Sequence, residues 1–135
     1  MGLFAGRRPA GLGARDGRLA PPKRTPNCVS SQADAADREH YIEPLRFSGQ
    51  PASAWAALKA ALRAMERVHV VVDERGYLYA EFTSRLMGYV DDVEFLMDEK
   101  AGAIHVRSAS RLGRRDFGVN RNRVESIRRR MAVSA

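Results

Sequence analysis

The chain has 135 residues, of which 44% are hydrophobic, so it is long enough for one buried core and too short for several domains. Its charge is unevenly spread: residues 1–26 carry six basic and one acidic side chain, residues 27–110 nine and thirteen, and residues 111–135 eight and two. No apolar run reaches the roughly 20 residues that cross a bilayer, which argues against a transmembrane segment and predicts a cytoplasmic protein.

The first 26 residues are predicted to form a disordered basic arm. They hold four of the six prolines and show no sustained apolar period. Residues 27–135 are predicted to fold as a single α+β domain. The arm and the segment Arg128-Arg129-Arg130 are candidates for non-specific contact with nucleic acid or an anionic membrane, because no aromatic recognition motif accompanies them.

A short edge strand and an amphipathic helix open the predicted domain. Residues 41–47 favour an extended segment, and Pro44 within them confines such a strand to a sheet edge. Pro51 suits the first position of a helix. Apolar residues then recur at spacings of three and four: Trp55, Leu58, Leu62 and Met65. This spacing predicts a helix that buries one side.

Four strands follow, at residues 68–72, 77–83, 90–97 and 103–110. Turns are predicted between them at residues 74–76, at Met87-Gly88 and at residues 99–102, because glycine supplies the backbone conformations that tight turns require. The four strands therefore form an antiparallel meander.

The three turns fix which residues lie opposite one another, and a slip by one residue would reverse the faces. The rows predicted on the core face are Val72, Leu78 and Met97; Val70, Ala80, Phe95 and Val106; and Val68, Phe82, Val93 and Ser108. Those predicted on the opposite face are His69, Glu81, Glu94 and Arg107; Val71, Tyr79, Leu96 and His105; and Thr83, Asp92 and Ala109. Glu81 beside Glu94 is unfavourable unless flanking cations compensate or a ligand binds between them.

The last element is predicted to be a helix that starts near Asn120, with the Asn120 side chain as its cap and Val119 and Val124 as a hydrophobic staple. The element order is then β-α-β-β-β-β-α, with both helices on one face of an antiparallel sheet. The same order occurs in each half of TATA-binding-like folds, an analogy of topology that implies no shared function.

Five segments of the chain resemble the domain of unknown function 1499 family (DUF1499) of bacteria and plants. They are NCVSS at residues 27–31, IEP at 42–44, FTSRLMGYVDDVEF at 82–95, VRSASRLG at 106–113 and DFGVNR at 116–121. The resemblance implies a family without a known activity. Its members often carry a membrane anchor, an export signal or a plastid transit segment, of which this sequence shows no sign, and Arg114-Arg115 is more basic than the loop usual in the family.

Arginines with neighbouring hydroxyl groups predict an anion site at one end of the strands. Guanidinium groups bind phosphate or carboxylate through two parallel hydrogen bonds, and Arg85, Arg107 and Arg111 are the candidate anion contacts. The full candidate ligand-binding set is Arg85, Asp91, Asp92, Arg107, Ser108, Ser110, Arg111, Asp116 and Asn120. The alternative is that the three aspartates of this set pair with the arginines in a purely structural network.

Cys28, with Ser30 beside it, is a candidate nucleophile. Its base would be one of the three histidines, His40, His69 and His105. The favoured interpretation is a small residue packed at the entry to the domain, because no strand-to-helix elbow surrounds the cysteine. The single cysteine also excludes an internal disulfide and a cysteine-only zinc site.

His69, Glu81 and Glu94 are predicted to lie about 5 Å apart on adjacent strands, a spacing that suits metal binding or proton transfer. The favoured alternative is a cross-strand ladder of ion pairs that includes Arg107.

The leading hypothesis is a binding module for a small acidic ligand or a protein partner, with no cofactor or metal assigned. Two alternatives stay open: a hydrolase-like enzyme that uses Cys28 or the row His69, Glu81 and Glu94, and non-specific binding of nucleic acid or anionic membrane through the basic termini.

Overall fold

The computed structural model describes residues 4–134, with side chains as far as residue 132. A six-stranded antiparallel sheet and two helices confirm the predicted α+β class and element order. The elements are β1 (Cys28–Ser30), β2 (Leu45–Arg46), α1 (Pro51–Arg63), β3 (Val68–Glu74), β4 (Tyr77–Thr83), β5 (Val90–Asp98), β6 (Ala103–Ser110) and α2 (Val119–Ser134). Within this described part of the chain, neither helix has the length and apolar content needed to cross a bilayer.

The core lies between the two helices and one face of the sheet. Helix α1 starts at Pro51, as its sequence predicts, and its apolar side turns inward. The helices contribute Leu58, Leu62, Val124 and Ile127, and the sheet contributes Leu78, Ala80, Val93, Phe95, Ile104 and Val106. Burying each large side chain stabilises the fold by about 1.5–3 kcal/mol. The opposite face is therefore left to the polar side chains.

The strands lie in the order β1-β6-β5-β4-β3, and β2 also pairs with β6. β1 joins one end of β6, where Cys28 lies opposite Ala109, and β2 joins the other, where Leu45 lies opposite Ile104. β1 is missing from the prediction because three residues contain no diagnostic alternation. Of the predicted edge strand at residues 41–47, only β2 (Leu45–Arg46) forms a strand.

The predicted pairing of β5 with β6 is confirmed, for example Phe95 opposite Val106, because the turn between them is short. The pairing of β4 with β5 is displaced by two residues, so that Ala80 lies opposite Val93. The prediction is wrong here because the connection spans residues 84–89 rather than two residues. An even displacement keeps every side chain on its predicted face, but Glu81 now lies opposite Asp92 instead of Glu94.

A β-bulge interrupts the pairing of β3 with β4. Val70 lies opposite Ala80 as predicted, but Val72 lies opposite Tyr79 rather than Leu78, because an extra residue enters β3 between them. A bulge moves all later side chains of its strand by one position. The predicted row of Val72, Leu78 and Met97 is therefore not formed.

Helix α2 begins at Val119, and Asp116 caps it. The Asp116 carboxylate accepts the backbone N–H of Asn120 at 3.0 Å and that of Gly118 at 3.0 Å. The predicted capping role of Asn120 is wrong, because Asn120 is buried inside the first turn. The predicted staple is also absent, since Val119 is 48% exposed while Val124 is fully buried.

Residues 4–26, which the sequence assigns to a disordered arm, lie across the polar face of the sheet. Ala5 and Leu19 are buried there, at 3% and 5% exposure. The Leu19 N–H donates to the Gln32 side chain at 2.8 Å, and the Pro21 carbonyl accepts from Arg107 at 3.2 Å. In the structure the arm covers the polar face instead of standing apart from the domain.

Candidate binding site on the polar face of the sheet

Six side chains on the face opposite the helices form two neighbouring hydrogen-bonded groups, the pair Tyr77 and Glu94 and the set around Arg111, which we together call the acid–tyrosine cluster. Its members are Tyr77, Tyr79 and Glu81 of β4, Asp92 and Glu94 of β5, and Arg111 just beyond β6. Alternation along each strand brings them to the same face. Tyr79, Asp92 and Glu94 are no more than 2% exposed, so most of the cluster is shielded from water.

Arg111 is the central cation of the cluster. Its Nε donates to Asp92 Oδ2 at 2.9 Å and its Nη2 to Asp92 Oδ1 at 2.8 Å and to Glu81 Oε2. The hydrogen bond with Asp92 raises the pKa of the guanidinium although burial opposes the charge. Burial alone would raise the pKa of Glu81, but hydrogen bonds from Arg111, Arg8 and Tyr79 outweigh it and lower that pKa. Arg111 is thus already engaged by carboxylates.

The two tyrosines act as hydrogen-bond donors to the carboxylates. The Tyr77 hydroxyl donates to Glu94 Oε2 at 2.6 Å, and the Tyr79 hydroxyl donates to Asp92 Oδ1. Burial, reinforced by the adjacent carboxylate, raises the pKa of each phenol well above its ordinary value. Both phenols therefore keep their protons at ordinary pH, and neither is suited to act as a base.

One carboxylate oxygen of Glu94 has no hydrogen-bond partner within residues 4–134. The residue is fully buried, and its Oε2 accepts from Tyr77 and from the Gly13 backbone N–H at 2.7 Å. Its Oε1 is buried and has no hydrogen-bond partner among the described residues. A buried acceptor without a donor is unfavourable by about 1–3 kcal/mol. This oxygen marks a point where the cluster can accept one more donor.

The arm closes over the cluster and supplies donors to it. Arg8 Nε donates to Glu81 Oε2 at 2.9 Å, and the Arg8 guanidinium lies 5.8 Å from the centre of the Tyr79 ring. The Ala5 carbonyl accepts from Arg111 Nη1 at 3.4 Å, and Phe4 stacks on Tyr89 with 4.9 Å between ring centres. Together with the Gly13 N–H, these contacts place a basic segment on an acidic surface.

The predicted ligand-binding residues are divided between the two faces of the sheet. Asp92 and Arg111 belong to the acid–tyrosine cluster, whereas Asp91 points to the helix side and pairs with Arg123 of α2 at 2.6 Å. The adjacent aspartates alternate faces as strand geometry requires. The remaining members on the helix side are Ser108, Ser110, Asp116 and Asn120.

Asn120 is the centre of this second network. Its Nδ2 donates to Asp116 Oδ2 at 2.7 Å and to Ser110 Oγ at 2.9 Å, and its Oδ1 accepts from Ser108 at 2.6 Å and Arg123 at 2.7 Å. Burial would raise the pKa of Asp116, but the N–H groups of Asn120 and Gly118 lower it. The network joins β6 to the start of α2, and every polar group in it has a partner, so it serves the fold.

The three predicted anion contacts have different surroundings. Arg85 is exposed and makes no hydrogen bond or ion pair to any residue that the structure describes. Arg107 donates to the Pro21 carbonyl rather than to Glu94, its neighbour across the strands. Arg111 is held by Asp92 and Glu81. The guanidinium groups therefore do not form a common anion site.

Cys28 is fully buried in β1, and burial raises the pKa of its thiol. Among the described residues, none of the three histidines forms a hydrogen bond with Cys28. His40 bonds to Asp37 and to the Thr25 carbonyl, and His105 bonds to Ser31 and Asp98. The neighbouring Ser30 hydroxyl accepts from the Gln32 N–H at 3.1 Å.

His69 lies opposite Glu81 as predicted, but its side chain is exposed and makes no hydrogen bond among the described residues. Glu94 is separated from this pair by the displacement of β5. No group of three or more His, Cys, Asp or Glu residues in residues 4–134 has a metal-binding arrangement.

Sequence reasoning overlooked Tyr77, Arg8 and Gly13 as parts of the site. The alternation that places Glu81 on the polar face also places Tyr77 and Tyr79 there, so the tyrosines were accessible from the pattern. The arm residues were not, because their contacts join positions more than 70 residues apart.

The fold and cluster define an α+β protein with helices on one face of an antiparallel sheet and a covered group of carboxylates and tyrosines on the other. The chain belongs to the family described as Protein of unknown function (DUF1499), whose model matches residues 18–131. This confirms the resemblance of the sequence motifs. No curated protein and no solved structure matches the chain significantly. The matched region contains the whole acid–tyrosine cluster but excludes Arg8 and Gly13.

Proposed function

We propose that this protein is a binding module whose polar face takes a basic segment of a partner protein, in the place that residues 4–17 occupy in the structure. The observation that carries the proposal is Glu94, a fully buried carboxylate that receives a backbone N–H from Gly13 while its second oxygen has no partner among the described residues. A protein partner is one of the two kinds of ligand that the sequence predicts, the other being a small acidic ligand. The cytoplasmic location stays a prediction.

The charge of the cluster favours a cationic ligand. The matched domain contributes three carboxylates, Glu81, Asp92 and Glu94, against the single guanidinium of Arg111. Buried charges are tolerated when they are paired and hydrogen-bonded. Arg8 of the arm supplies a second cation at 2.9 Å from Glu81. A small acidic ligand is less favoured, because it would have to displace carboxylates from Arg111.

The hydrogen-bonding groups of the cluster match those of a polypeptide. Glu94 Oε2 binds a backbone N–H, Arg111 donates to a backbone carbonyl, and Glu81 binds a guanidinium. A ligand with one amine would satisfy only one of these groups. A peptide segment that contains an arginine satisfies all three, and charge-assisted hydrogen bonds of this kind are about twice as strong as neutral ones.

Catalysis has less support in the geometry than binding. The candidate nucleophile Cys28 is buried with a raised thiol pKa, and the phenols of Tyr77 and Tyr79 hold their protons. A reactive cysteine needs a lowered pKa and access to solvent. The cluster is thus arranged to accept hydrogen bonds rather than to exchange protons.

The proposal is tested with a peptide that has the sequence of residues 4–17, added to the full chain carrying Gly13→Pro. Gly13 has a φ of 107°, which proline cannot adopt, and proline has no N–H for Glu94, so the variant loosens the arm. We expect the peptide to bind this variant, by fluorescence anisotropy, more tightly than the wild-type chain, where the arm competes.

Arg8 and Arg7 provide a matched control within the peptide. Arg8 contacts Glu81, whereas Arg7 is exposed and makes no described contact. Arg8→Ala in the peptide should weaken binding by about fivefold, the order expected of one charged pair near a surface. Arg7→Ala should not weaken it. Equal losses for both peptides would reduce the interaction to general charge attraction and refute the proposal.

A further inference from the structure

Two loops at one end of the sheet expose large apolar side chains. They connect β4 to β5 (residues 84–89) and β6 to α2 (residues 111–118). Leu86 is 90% exposed and Phe117 is 94% exposed. Further apolar side chains that are between 41% and 49% exposed in or next to these loops are Met87, Tyr89, Leu112 and Val119. Single exposed apolar residues are common, but six in two adjoining loops form a patch.

Strand pairing brings the two loops together. Thr83 lies opposite Val90 and Asp91 lies opposite Ser110, so both loops leave the sheet at the same end. A recess of about 360 Å³ separates them and is lined by Tyr89, Leu112, Arg115 and Phe117, among others. The exposed side chains therefore belong to one surface.

Phe117 is held outward by a strained backbone. Its φ of 52° lies in the left-handed region, which bulky residues rarely adopt, and it is followed by Gly118 at 81°. The Asp116 carboxylate fixes this turn by accepting the Gly118 N–H at 3.0 Å. The aromatic ring gains no burial within the chain in return. Strain of this kind concentrates at functional surfaces.

The unpaired charge around the patch is positive. Arg85, Arg114 and Arg115 are exposed and have no hydrogen bond or ion pair among residues 4–134. The aspartates of the same end are already engaged: Asp91 with Arg123, Asp92 with Arg111, and Asp116 with N–H groups of Gly118 and Asn120. The patch thus presents apolar side chains surrounded by free guanidinium groups.

We infer that this end of the molecule docks on an anionic lipid surface, with Leu86 and Phe117 entering the boundary between headgroups and acyl chains and Arg85, Arg114 and Arg115 contacting lipid phosphates. Apolar side chains inserted by roughly 5–10 Å and flanked by basic residues are typical of proteins that lie on a membrane. A groove for a protein partner would bury its apolar walls in part, whereas Leu86 and Phe117 protrude almost completely from separate loops.

The test is cosedimentation of the full chain with vesicles of phosphatidylcholine, with and without about a third phosphatidylglycerol. We expect binding to the anionic vesicles only. Leu86→Ser and Phe117→Ser should each weaken partitioning by about tenfold, because each removes a large apolar side chain from the boundary. Both positions are almost fully exposed, so the variants should keep the wild-type unfolding midpoint.

Charge-matched variants locate the contact. Arg114→Ala should weaken binding by about fivefold, the contribution of one basic residue near an anionic membrane. Arg75→Ala, in the turn at the opposite end of the strands, and Arg129→Ala, in the basic C-terminal run, should leave binding unchanged. Equal losses for the three arginine variants would overturn the proposal in favour of general charge attraction.

Absence of binding to anionic vesicles would also overturn the proposal. So would self-association of the chain, seen by sedimentation velocity, that Phe117→Ser abolishes while vesicle binding persists, because the patch would then be an interface between copies.

Discussion

Arg111, predicted as an anion contact, is bound by carboxylates of the chain itself. Its position among serines and aspartates suggested an anion contact. In the structure its side chain is only 6% exposed and is held by Asp92 and Glu81. The guanidinium therefore neutralises carboxylates of the chain itself, and its removal leaves those carboxylates buried without a cation.

Arg111→Met should destabilise the fold by about 3–5 kcal/mol, the usual result of removing one partner from a buried ion pair. Arg107→Met is the matched control, because among the described residues the Arg107 guanidinium donates hydrogen bonds only to the Pro21 carbonyl, and its loss should cost less than about 1 kcal/mol. Urea unfolding measures both. Equal destabilisation by the two variants would show that Arg111 is not the central cation.

Glu81 makes the stability of the fold depend on pH. Its folded-state pKa is lowered, since hydrogen bonds from Arg111, Arg8 and Tyr79 outweigh the opposing effect of burial. The stabilisation is therefore fully present above the ordinary glutamate pKa of about 4.3 and is lost as the pH falls through the folded-state value.

The free energy of unfolding should fall as the pH is lowered from about 6 to about 3, and Glu81→Gln should make that fall shallower. Glu99→Gln removes the same charge from an exposed turn, where the Glu99 side chain has no hydrogen-bond or ion-pair partner among the described residues. This variant should leave the pH dependence unchanged. Urea unfolding at several pH values gives the measurement. A Glu81→Gln profile parallel to that of the wild-type chain would contradict the assigned ion pairs.

At the scale of elements, the helix side of the sheet depends on Asn120. Its side chain satisfies groups from β6, α2 and the loop before α2 at once, including Ser110 and Asp116. Asn120→Ala would leave several of these buried groups unsatisfied, each at a cost of about 1–3 kcal/mol.

We expect Asn120→Ala to destabilise the fold by about 2–4 kcal/mol in thermal or urea unfolding. Asn122→Ala, two positions further along α2 and exposed, should change stability by less than about 0.5 kcal/mol. A small effect of Asn120→Ala would mean that water replaces the amide, so that the network is not needed to hold α2.

The elements that the sequence predicted well depend on local patterns. The helix at Pro51 and the pairing of Phe95 with Val106 follow from side-chain periodicity and from a short turn. The connection at residues 84–89 and the bulge in β3 do not, because they are decided by long-range pairing and backbone geometry. The error of two residues between β4 and β5 kept both faces correct but separated Glu81 from Glu94.

The sequence predicts which charged residues belong to the candidate site better than it predicts how they are grouped. Four charged members of the cluster are candidates from the sequence, because their charges were predicted to lie on or next to one sheet face: Glu81, Asp92, Glu94 and Arg111. Their grouping was not predictable, because it needs the displaced pairing of β5 and the reach of Arg111 from beyond β6. The covering arm has no sequence pattern that would predict its path.

At the scale of the whole molecule, the arm occupies the acid–tyrosine cluster. The family match begins at residue 18, so the segment that contacts Glu81 and Glu94 lies outside the matched domain. Among the described residues, none of the arm belongs to the core between the helices and the sheet, so the arm can be displaced without unfolding that core. This is the physical basis for binding a partner segment in its place.

Amide hydrogen exchange at Gly13, followed by NMR in the full chain, tests the central claim most directly. The Gly13 N–H donates to a fully buried carboxylate, whereas Gly11, two residues earlier, is exposed and its N–H has no partner among the described residues. We expect the Gly13 amide to exchange at least about tenfold more slowly than that of Gly11. Equal exchange at both glycines, each near the rate of an unstructured chain, would show that the arm does not occupy the cluster and would refute the proposed binding of a partner segment in its place.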